Sequence, residues 1–175
     1  MESVGTKGYP IFKKDENGKP IPGELLSTKE EIANDPVQVL PVLNAYENKD
    51  KDTMKMIWNN TIYTDNQPSP EKYDEYLEDM FTQRNLVYVD YALAHFNISN
   101  ENNGLEDGNG KAEKIKAPTL VLYGENDKVV TEQMAKDINN DIGANAQLKY
   151  LKNCGHSPLI DDLDQLLENI LNFID

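Results

Sequence analysis

The stretch Pro118-Thr119-Leu120-Val121-Leu122-Tyr123-Gly124 decides the fold class of this chain. It is a short apolar run that stops at a glycine, which is typical of a strand buried on both faces of a parallel sheet. Thr131 can cap a helix that continues to about Ile142, where Gly143 supplies a left-handed stop. Residues Ala146–Leu151 alternate like a strand nearer a sheet edge. Strand, helix and strand in this order predict a parallel α/β unit with a right-handed crossover.

An amphipathic helix is expected after this unit, with a cap at Asp161 or Asp162. Its apolar positions recur at helical spacing and are Leu163, Leu166, Leu167, Ile170, Leu171 and Ile174. Two strands alone do not make a stable parallel sheet, because a strand as apolar as residues 118–124 needs neighbours on both edges. Residues 114–175 therefore predict only part of an α/β core, with neighbouring strands missing.

The residues before this unit predict a different organisation. Residues 1–23 are too rich in Gly and Pro for a long helix and predict an irregular opening segment. Residues 24–96 predict a small helical subdomain, because capping residues precede apolar runs at helical spacing. The expected helix starts are Ser27 or Thr28, Asp35-Pro36 (where Pro41 would interrupt or kink the helix), Asp50, Ser69-Pro70-Glu71 and about Gln83. Residues 97–113, rich in Asn and Gly, predict a linker loop.

The composition argues against several classes of protein. Lys and Arg number 17 against 31 Asp and Glu, so the formal net charge is −14 at pH 7. A nucleic-acid-binding protein needs a cationic surface, and an anionic membrane would repel this chain. The single cysteine, Cys154, excludes an intramolecular disulfide and a multi-cysteine zinc site. With no long apolar run and no signal-peptide pattern at the N-terminus, we expect a cytoplasmic protein.

Two side chains stand out as candidates for acid–base chemistry. His156 lies in Cys154-Gly155-His156-Ser157-Pro158, between the last predicted strand and the last helix. Asp127 comes directly after the strand over residues 118–124. The carboxyl ends of parallel strands meet at one edge of a sheet, about 4.8 Å apart from strand to strand. The spacing therefore predicts that Asp127 accepts a hydrogen bond from His156 Nδ1, which leaves Nε2 as a general base.

The segments KAPTLVLYGENDKVV (116–130) and LKNCGHSPLIDDLDQLLENILNFI (151–174) resemble the C-terminal part of an α/β-hydrolase-fold enzyme. The resemblance implies that Asp127 is the acid and His156 the histidine of a triad whose chain order is nucleophile, acid, histidine. It also implies that residues 24–96 form the cap, or lid, of such an enzyme. Glu2-Ser3-Val4-Gly5 looks like the exit from the sixth strand of the family.

The chain departs from the family at the nucleophile, because it contains neither a Gly-x-Ser-x-Gly elbow nor a His-Gly oxyanion loop. In the family these elements precede everything seen here. The chain therefore resembles the second half of a hydrolase: a truncated gene product, a proteolytic fragment, one chain of a split enzyme or an expressed piece. An aspartate nucleophile, as in dehalogenase-type relatives, stays open because that strand is not in this sequence.

The resemblance implies a parent enzyme that hydrolyses a small ester or amide through a covalent acyl intermediate, with no metal and no organic cofactor. The isolated chain, which carries only Asp127 and His156 of the triad, is expected to be inactive. The alternative is a non-catalytic remnant with a binding or regulatory use. Trp58, Tyr91 and His95 could contact the substrate under the cap, although packing is the commoner role of such residues. Besides that small-molecule substrate, we expect self-association or pairing with a missing N-terminal half, and neither nucleic acid nor membrane as a partner.

Overall fold

The predicted strand–helix–strand unit is present in the computed structural model, which describes residues 4–175. Strand β3 (Thr119–Gly124) pairs in parallel with β4 (Ala146–Leu151), and the two are in register along their whole length. Helix α6 (Glu132–Ile142) connects them and packs its buried residue Ala135 against the sheet. Glu2 and Ser3 of the predicted strand exit lie outside the described residues.

The C-terminal segment forms two helices, α7 (Pro158–Asp161) and α8 (Leu163–Ile174). Asp162 caps α8 by accepting a hydrogen bond from the amide of Gln165 at 2.9 Å. The apolar side chains of α8 are largely exposed rather than covered by a sheet, and Leu171 and Ile174 retain 53% and 67% of their accessible surface. Within residues 4–175, β3 pairs with β4 and with no further strand. The chain therefore has part of an α/β fold.

Five helices lie between residues 29 and 95, before the Asn-rich loop. They are α1 (Lys29–Ala33), α2 (Leu40–Asn48), α3 (Lys51–Thr61), α4 (Pro70–Met80) and α5 (Leu86–His95). The predicted capping residues Thr28, Asp50 and Ser69 each accept a hydrogen bond from a backbone amide in the first turn. Thr28 forms a full capping box with Glu31. The domain boundaries proposed from the sequence stay predictions.

Helix α2 begins later than the sequence predicts. The Asp35 carboxylate accepts hydrogen bonds from the amides of Val37 at 3.0 Å and Gln38 at 2.5 Å, and so closes a turn before the helix. Pro41 lies in the first turn of α2, where a missing N–H leaves no hydrogen bond unmade. The expected interruption or kink at Pro41 is therefore wrong, because the helix starts just before it. Helix α5 also begins later than predicted, at Leu86 rather than near Gln83.

The prediction of an irregular segment over residues 1–23 is wrong for its second half. Strands β1 (Phe12–Lys14) and β2 (Pro20–Leu25) form an antiparallel hairpin. Gly18, at a φ of 75°, allows the tight turn, and its amide donates to the carbonyl of Asp15 at 3.0 Å. The glycines and prolines that argued against a helix therefore mark a turn and a short edge strand.

Within the segment 97–113, residues 97–111 form a loop and a short 3₁₀ helix, Ala112–Lys114, begins at its end. Hydrogen bonds hold the loop in a fixed position. The buried Asn97 amide donates to two carbonyl oxygens of the same loop, both at 2.8 Å. Asn103 Nδ2 donates to the carbonyl of Lys7 at 3.0 Å, which ties the loop to the start of the described chain. The segment is therefore a structured connection rather than a loose linker.

Two apolar clusters hold the helices together. The first joins α2, α3 and α4 and consists of Ala45, Met54, Tyr63, Tyr73, Leu77 and Phe81, with Ile160 of α7 packed against it. The second joins the hairpin to α1 and consists of Ile11, Leu26, Ile32 and Val39, with Tyr9 and Tyr91 beside it. No helix within residues 4–175 is long and apolar enough to cross a membrane.

Candidate active site

Asp127 lies in a turn just beyond β3, closed by a hydrogen bond from its own amide to the carbonyl of Gly124 at 3.0 Å. Its Oδ1 accepts hydrogen bonds from the amides of Val129 at 2.7 Å and Val130 at 2.9 Å. Burial alone would raise the pKa of Asp127, but hydrogen bonds from His156 and from these two amides outweigh it and lower the pKa below its ordinary value. The carboxylate is therefore charged at neutral pH.

His156 lies beyond β4, at the same edge of the sheet as Asp127, as the sequence predicts. Its Nδ1 is 3.0 Å from Asp127 Oδ2 and 3.2 Å from Oδ1. Both side chains are buried, at 5% exposure for the histidine and 9% for the aspartate. When Nδ1 donates to the carboxylate, the lone pair of a neutral ring is on Nε2. This arrangement can hold one tautomer of the histidine and stabilise its protonated form.

The two loops that carry this pair are joined directly by their backbones. The amide of Asn126 donates to the carbonyl of Cys154 at 2.9 Å, and the amide of Glu125 donates to the carbonyl of Leu151 at 3.1 Å. A Cβ on Gly124 would overlap the carbonyl oxygen of Gly155. The glycine at the end of β3 is therefore required for the loops to approach this closely.

The loop after α3 contacts the Asp127 loop and the end of α7, the helix that follows the His156 loop. Asp65 Oδ2 accepts a hydrogen bond from Asn126 Nδ2 at 3.1 Å, next to Asp127. The amide of Asn66 donates to Asp161 Oδ1 at 3.2 Å. Neither contact was predicted from the sequence, and no local pattern could have revealed them, because the bonded partners are 61 and 95 residues apart.

The three candidate substrate-binding residues are divided between two regions. Trp58 stacks on Tyr73, with ring centroids 6.1 Å apart, in the core of α3 and α4. The rings of Tyr91 and His95 lie 4.2 Å apart on α5. His95 contacts a carboxylate of Glu106 through Nδ1 at 2.7 Å and a backbone carbonyl through Nε2 at 2.9 Å. Their contacts are those of packed residues, and a role in substrate binding stays a prediction.

Cys154 is buried next to the histidine loop, and Gln165 Nε2 lies 3.8 Å from its sulfur. Burial first, and then the negative charges of nearby carboxylates such as Asp161, raise the pKa of its thiol to about 11. The thiol is therefore protonated at neutral pH and is a poor nucleophile. Within residues 4–175 no group of three or more His, Cys, Asp or Glu side chains is arranged to hold a metal ion.

Two curated relatives match part of the chain. A pimeloyl-[acyl-carrier protein] methyl ester esterase of Nitrosospira multiformis is 33% identical over 67 residues, which are 38% of this chain and 25% of that protein. Monoacylglycerol lipase ABHD6 of Homo sapiens is 34% identical over 62 residues, or 35% of this chain and 18% of that protein. The matched part of the chain therefore spans a quarter or less of each relative.

Two solved structures share the fold. A hydrolase from Oleispira antarctica has a TM-score of 0.51 at 17% identity, covering 76% of this chain and 45% of that one. An esterase from Exiguobacterium antarcticum has a TM-score of 0.52 at 16% identity, covering 93% of this chain and 53% of that one. At these identities the likeness concerns the fold alone, and the chain spans about half of each neighbour.

The family described as serine aminopeptidase, S33, matches residues 58–163. This range begins in α3 and includes Asp127, His156 and the whole β3–α6–β4 unit. It is more than half of the chain, and both structural neighbours are hydrolases. The chain therefore belongs to the S33 serine aminopeptidase family of α/β-hydrolases.

Proposed function

We propose that this chain supplies the acid and the base of a Ser-Asp-His triad in an α/β-fold serine hydrolase. The observation that carries the proposal is the buried 3.0 Å contact between His156 Nδ1 and Asp127 Oδ2, at the ends of two neighbouring parallel strands. The carboxylate orients the ring and stabilises the imidazolium, while Nε2 takes and returns protons.

The proposed reaction is hydrolysis of a small ester or amide. A serine hydroxyl from outside these 175 residues attacks the acyl carbon while His156 Nε2 takes its proton. The leaving alcohol or amine then receives that proton from His156 as its bond to the acyl carbon breaks. A water molecule attacks the acyl-enzyme in the same way, releasing the acid and restoring the serine. The names of the curated relatives, an esterase and a lipase, favour an ester substrate.

The nucleophile must come from a different stretch of polypeptide, because the chain has no Gly-x-Ser-x-Gly elbow. We propose that the chain pairs with a missing N-terminal half that carries this elbow and the missing strands, and that alone it is inactive. Two observations support this pairing. Strand β3 has one strand neighbour within residues 4–175, and the solved hydrolases are about twice as long as the part that the chain matches.

Helices α1–α5 are proposed to form the cap that selects the substrate and shields the site from water. The support is positional, since the loop after α3 hydrogen-bonds to Asn126 beside Asp127 and to Asp161, which in turn binds the His156 loop. A cytoplasmic location also stays a prediction.

A second candidate is a non-catalytic protein with a binding or regulatory use. The observation that favours it is the missing elbow itself, because a general base without a nucleophile performs no acyl transfer. The two candidates differ in what the neighbouring DNA should encode, since only the hydrolase requires a translated segment with a serine elbow.

The test starts by reading the DNA upstream of the Met1 codon for an in-frame segment that encodes a Gly-x-Ser-x-Gly elbow. This segment is then produced together with the chain, and both preparations are treated with a fluorophosphonate probe and a p-nitrophenyl ester. We expect no labelling of the chain alone, and labelling of the elbow serine in the assembled enzyme. His156→Gln should lower the ester hydrolysis by at least about 10⁴-fold.

The matched control is Asp164→Asn, because this exposed carboxylate lies in the first turn of α8, away from the Asp127–His156 pair. It should leave hydrolysis unchanged, whereas Asp127→Asn should reduce it strongly. Stoichiometric labelling of the chain alone at one of its own serines would overturn the proposed division of the triad. An unrelated upstream sequence together with no hydrolysis would favour the non-catalytic candidate, and hydrolysis without labelling would point to an aspartate nucleophile.

A further inference from the structure

We infer that Asp161 is a positioning residue that fixes the His156 loop against the helical region. The inference rests on the proposed function, because it assigns a role in the same triad. Asp161 is the last residue of α7, and its carboxylate turns back toward the residue that precedes His156. The same carboxylate also contacts the loop after α3, so it lies between that loop and the His156 loop.

Three hydrogen bonds define this junction. Asp161 Oδ2 accepts from the amide of Gly155 at 2.7 Å, a short distance for a hydrogen bond to a carboxylate. Asp161 Oδ1 accepts from the amide of Asn66 at 3.2 Å. The backbone carbonyl of Asp161 accepts from Asn66 Nδ2, also at 3.2 Å. Each carboxylate oxygen therefore serves a different part of the chain.

The bond to Gly155 holds the Cys154–Gly155 peptide, one residue before His156. Gly155 is buried, so its amide needs a protein acceptor, and Asp161 is that acceptor. On the other side, the carbonyl of Cys154 accepts from the amide of Asn126. The Cys154–Gly155 peptide is thus held at both its carbonyl and its amide, which limits how the backbone that carries His156 can move.

The helical region takes part in this arrangement through a short loop. A Cβ on Gly155 would lie 3.1 Å from Thr64 Oγ1, so the loop after α3 packs tightly on the histidine loop. Asp65 accepts from Asn126 Nδ2 on the Asp127 side, and Asn66 contacts Asp161 on the His156 side. A shift of the helical region therefore strains or breaks contacts on both sides of the pair.

A purely structural role as a helix cap does not account for Asp161. The cap of α8 is Asp162, which accepts from the amide of Gln165 at 2.9 Å. The Asp161 side chain instead bonds to Gly155 and Asn66, neither of which belongs to α8. Asp162 therefore caps α8, whereas Asp161 binds the histidine loop.

The test uses the ¹⁵N-labelled full chain without substrate and compares Asp161→Ala with the unchanged protein by NMR. In Asp161→Ala we expect the Gly155 amide to exchange with solvent about tenfold faster, since it loses its acceptor. The proton on His156 Nδ1 should move upfield or broaden because the ring is less firmly held. Asn66→Ala, which removes one donor to Asp161, should change both signals in the same direction by a smaller amount.

The matched control is Asp164→Ala, which removes the same charge nearby from an exposed position in the first turn of α8. It should leave both NMR signals unchanged. If Asp161→Ala does not fold, Asp161→Asn and Asn66→Ala supply the comparison, since each weakens the junction without removing the Asp161 side chain entirely. Unchanged signals in the folded variants, or equal changes in Asp164→Ala, would overturn the inference.

Catalysis in the assembled enzyme separates this inference from the proposed function. There Asp161→Ala should lower kcat by about 10- to 100-fold with KM changed less than about twofold, because it displaces the base rather than the substrate. If the NMR changes occur but the assembled enzyme hydrolyses nothing, the positioning role stands and the proposed hydrolase is wrong. If hydrolysis occurs and Asp161→Ala alters neither kcat nor the NMR signals, only the positioning role is wrong.

Discussion

Gly124 sets how closely the loops of Asp127 and His156 can approach each other. A Cβ at this position would overlap the carbonyl oxygens of Cys154 and Gly155, because the end of β3 lies directly against the histidine loop. We expect Gly124→Ala to lower the free energy of unfolding by about 1–3 kcal/mol, the usual cost of overpacking. It should also weaken the contact between the aspartate and the histidine. Urea unfolding and the His156 Nδ1 proton signal measure the two effects.

Gly23→Ala is the control for this substitution. Gly23 has a φ of 81°, and apart from its two chain neighbours no residue has an atom within 4 Å of the position that a Cβ would occupy, so its replacement costs only backbone strain. Gly124 is outside the left-handed region, so its replacement costs only overlap. We expect Gly23→Ala to leave the His156 signal unchanged while destabilising the chain by about 1 kcal/mol. The same loss of signal in both variants would contradict the role assigned to Gly124.

Asp90 has a half-buried carboxyl group that makes no ion pair with residues 4–175. Burial first, and then the charge of Asp35, raise its pKa to about 6. In the unfolded chain the pKa of an aspartate is about 3.9, so the folded state binds the proton of the Asp90 carboxyl more tightly. The contribution of Asp90 to stability is therefore present below about pH 4 and is lost as the pH rises through 6.

Asp90→Asn should remove this loss of stability at neutral pH. We expect the free energy of unfolding to rise by about 1–2 kcal/mol at pH 7, after allowing for partial exposure to solvent, and to change little near pH 4. Urea unfolding at the two pH values measures the difference. Asp164→Asn, at an exposed site, should show no such dependence on pH. An equal effect of Asp90→Asn at both pH values would mean that packing rather than charge accounts for it.

Among the elements, those with a cap and an uninterrupted apolar pattern could be predicted from the sequence. Helix α6 is an example, because Thr131 and Gly143 mark its two ends within a few residues of the apolar positions. The β1–β2 hairpin could not, because its strands are short and its pairing depends on tertiary contacts rather than on an alternating pattern. Local sequence patterns therefore predict the helices better than they predict the pairing of antiparallel strands.

The candidate site shows the same division between local and distant information. The adjacency of Asp127 and His156 could be predicted, since parallel order alone brings the carboxyl ends of β3 and β4 together. The junction between Asn66 and Asp161 could not, because nothing in either segment marks a partner 95 residues away. Contacts between the helical region and the sheet depend on how the whole chain packs.

A buried ion pair joins the hairpin to the turn between α1 and α2. Lys14 Nζ lies 2.9 Å from Asp35 Oδ2, with side-chain exposures of 5% and 0%. Removing one partner of such a pair leaves a buried charge uncompensated, so Lys14→Ala should cost about 3–5 kcal/mol of unfolding free energy. Lys13→Ala, one residue earlier, is the control and should cost less than about 0.5 kcal/mol. Similar losses in both variants by urea unfolding would contradict the importance of the pair.

At the scale of the whole molecule, the beginning of the described chain is fastened to the C-terminal unit. The hydroxyl of Thr6 donates to the carboxylate of Asp141 on α6, and the Tyr9 hydroxyl donates to the carbonyl of Val129 at 3.0 Å. The second bond lies beside the Asp127 turn, so residues near the start of the chain help to hold the candidate site. The amide of Ile98 donates to the carbonyl of Thr6 at 2.8 Å, so the chain enters and leaves the helical region at neighbouring points.

The apolar face of α8 and the second edge of β3 remain without a strand or sheet to cover them in residues 4–175. The face consists of Leu163, Leu167, Leu171 and Ile174, which are 44–67% exposed. Exposed apolar surface and an unpaired strand edge both favour association with another chain. The net charge of −14 opposes contact between two copies, and salt screens this repulsion. We therefore expect the chain alone to self-associate, and to do so more strongly as the salt concentration rises.

Leu167→Gln combined with Leu171→Gln should shift this equilibrium toward the monomer, measured by sedimentation velocity at low and high salt. The melting temperature should change little, because both side chains are already exposed to solvent. Met56→Gln, at a site on α3 that is 59% exposed, is the control and should leave association unchanged. A wild-type chain that stays a monodisperse monomer at high salt, with a cooperative melt, would mean that the α8 face and the β3 edge need no partner. In that case the proposed pairing with a strand-bearing half would lose its physical basis, because the α8 face and the β3 edge would be stable in water without it.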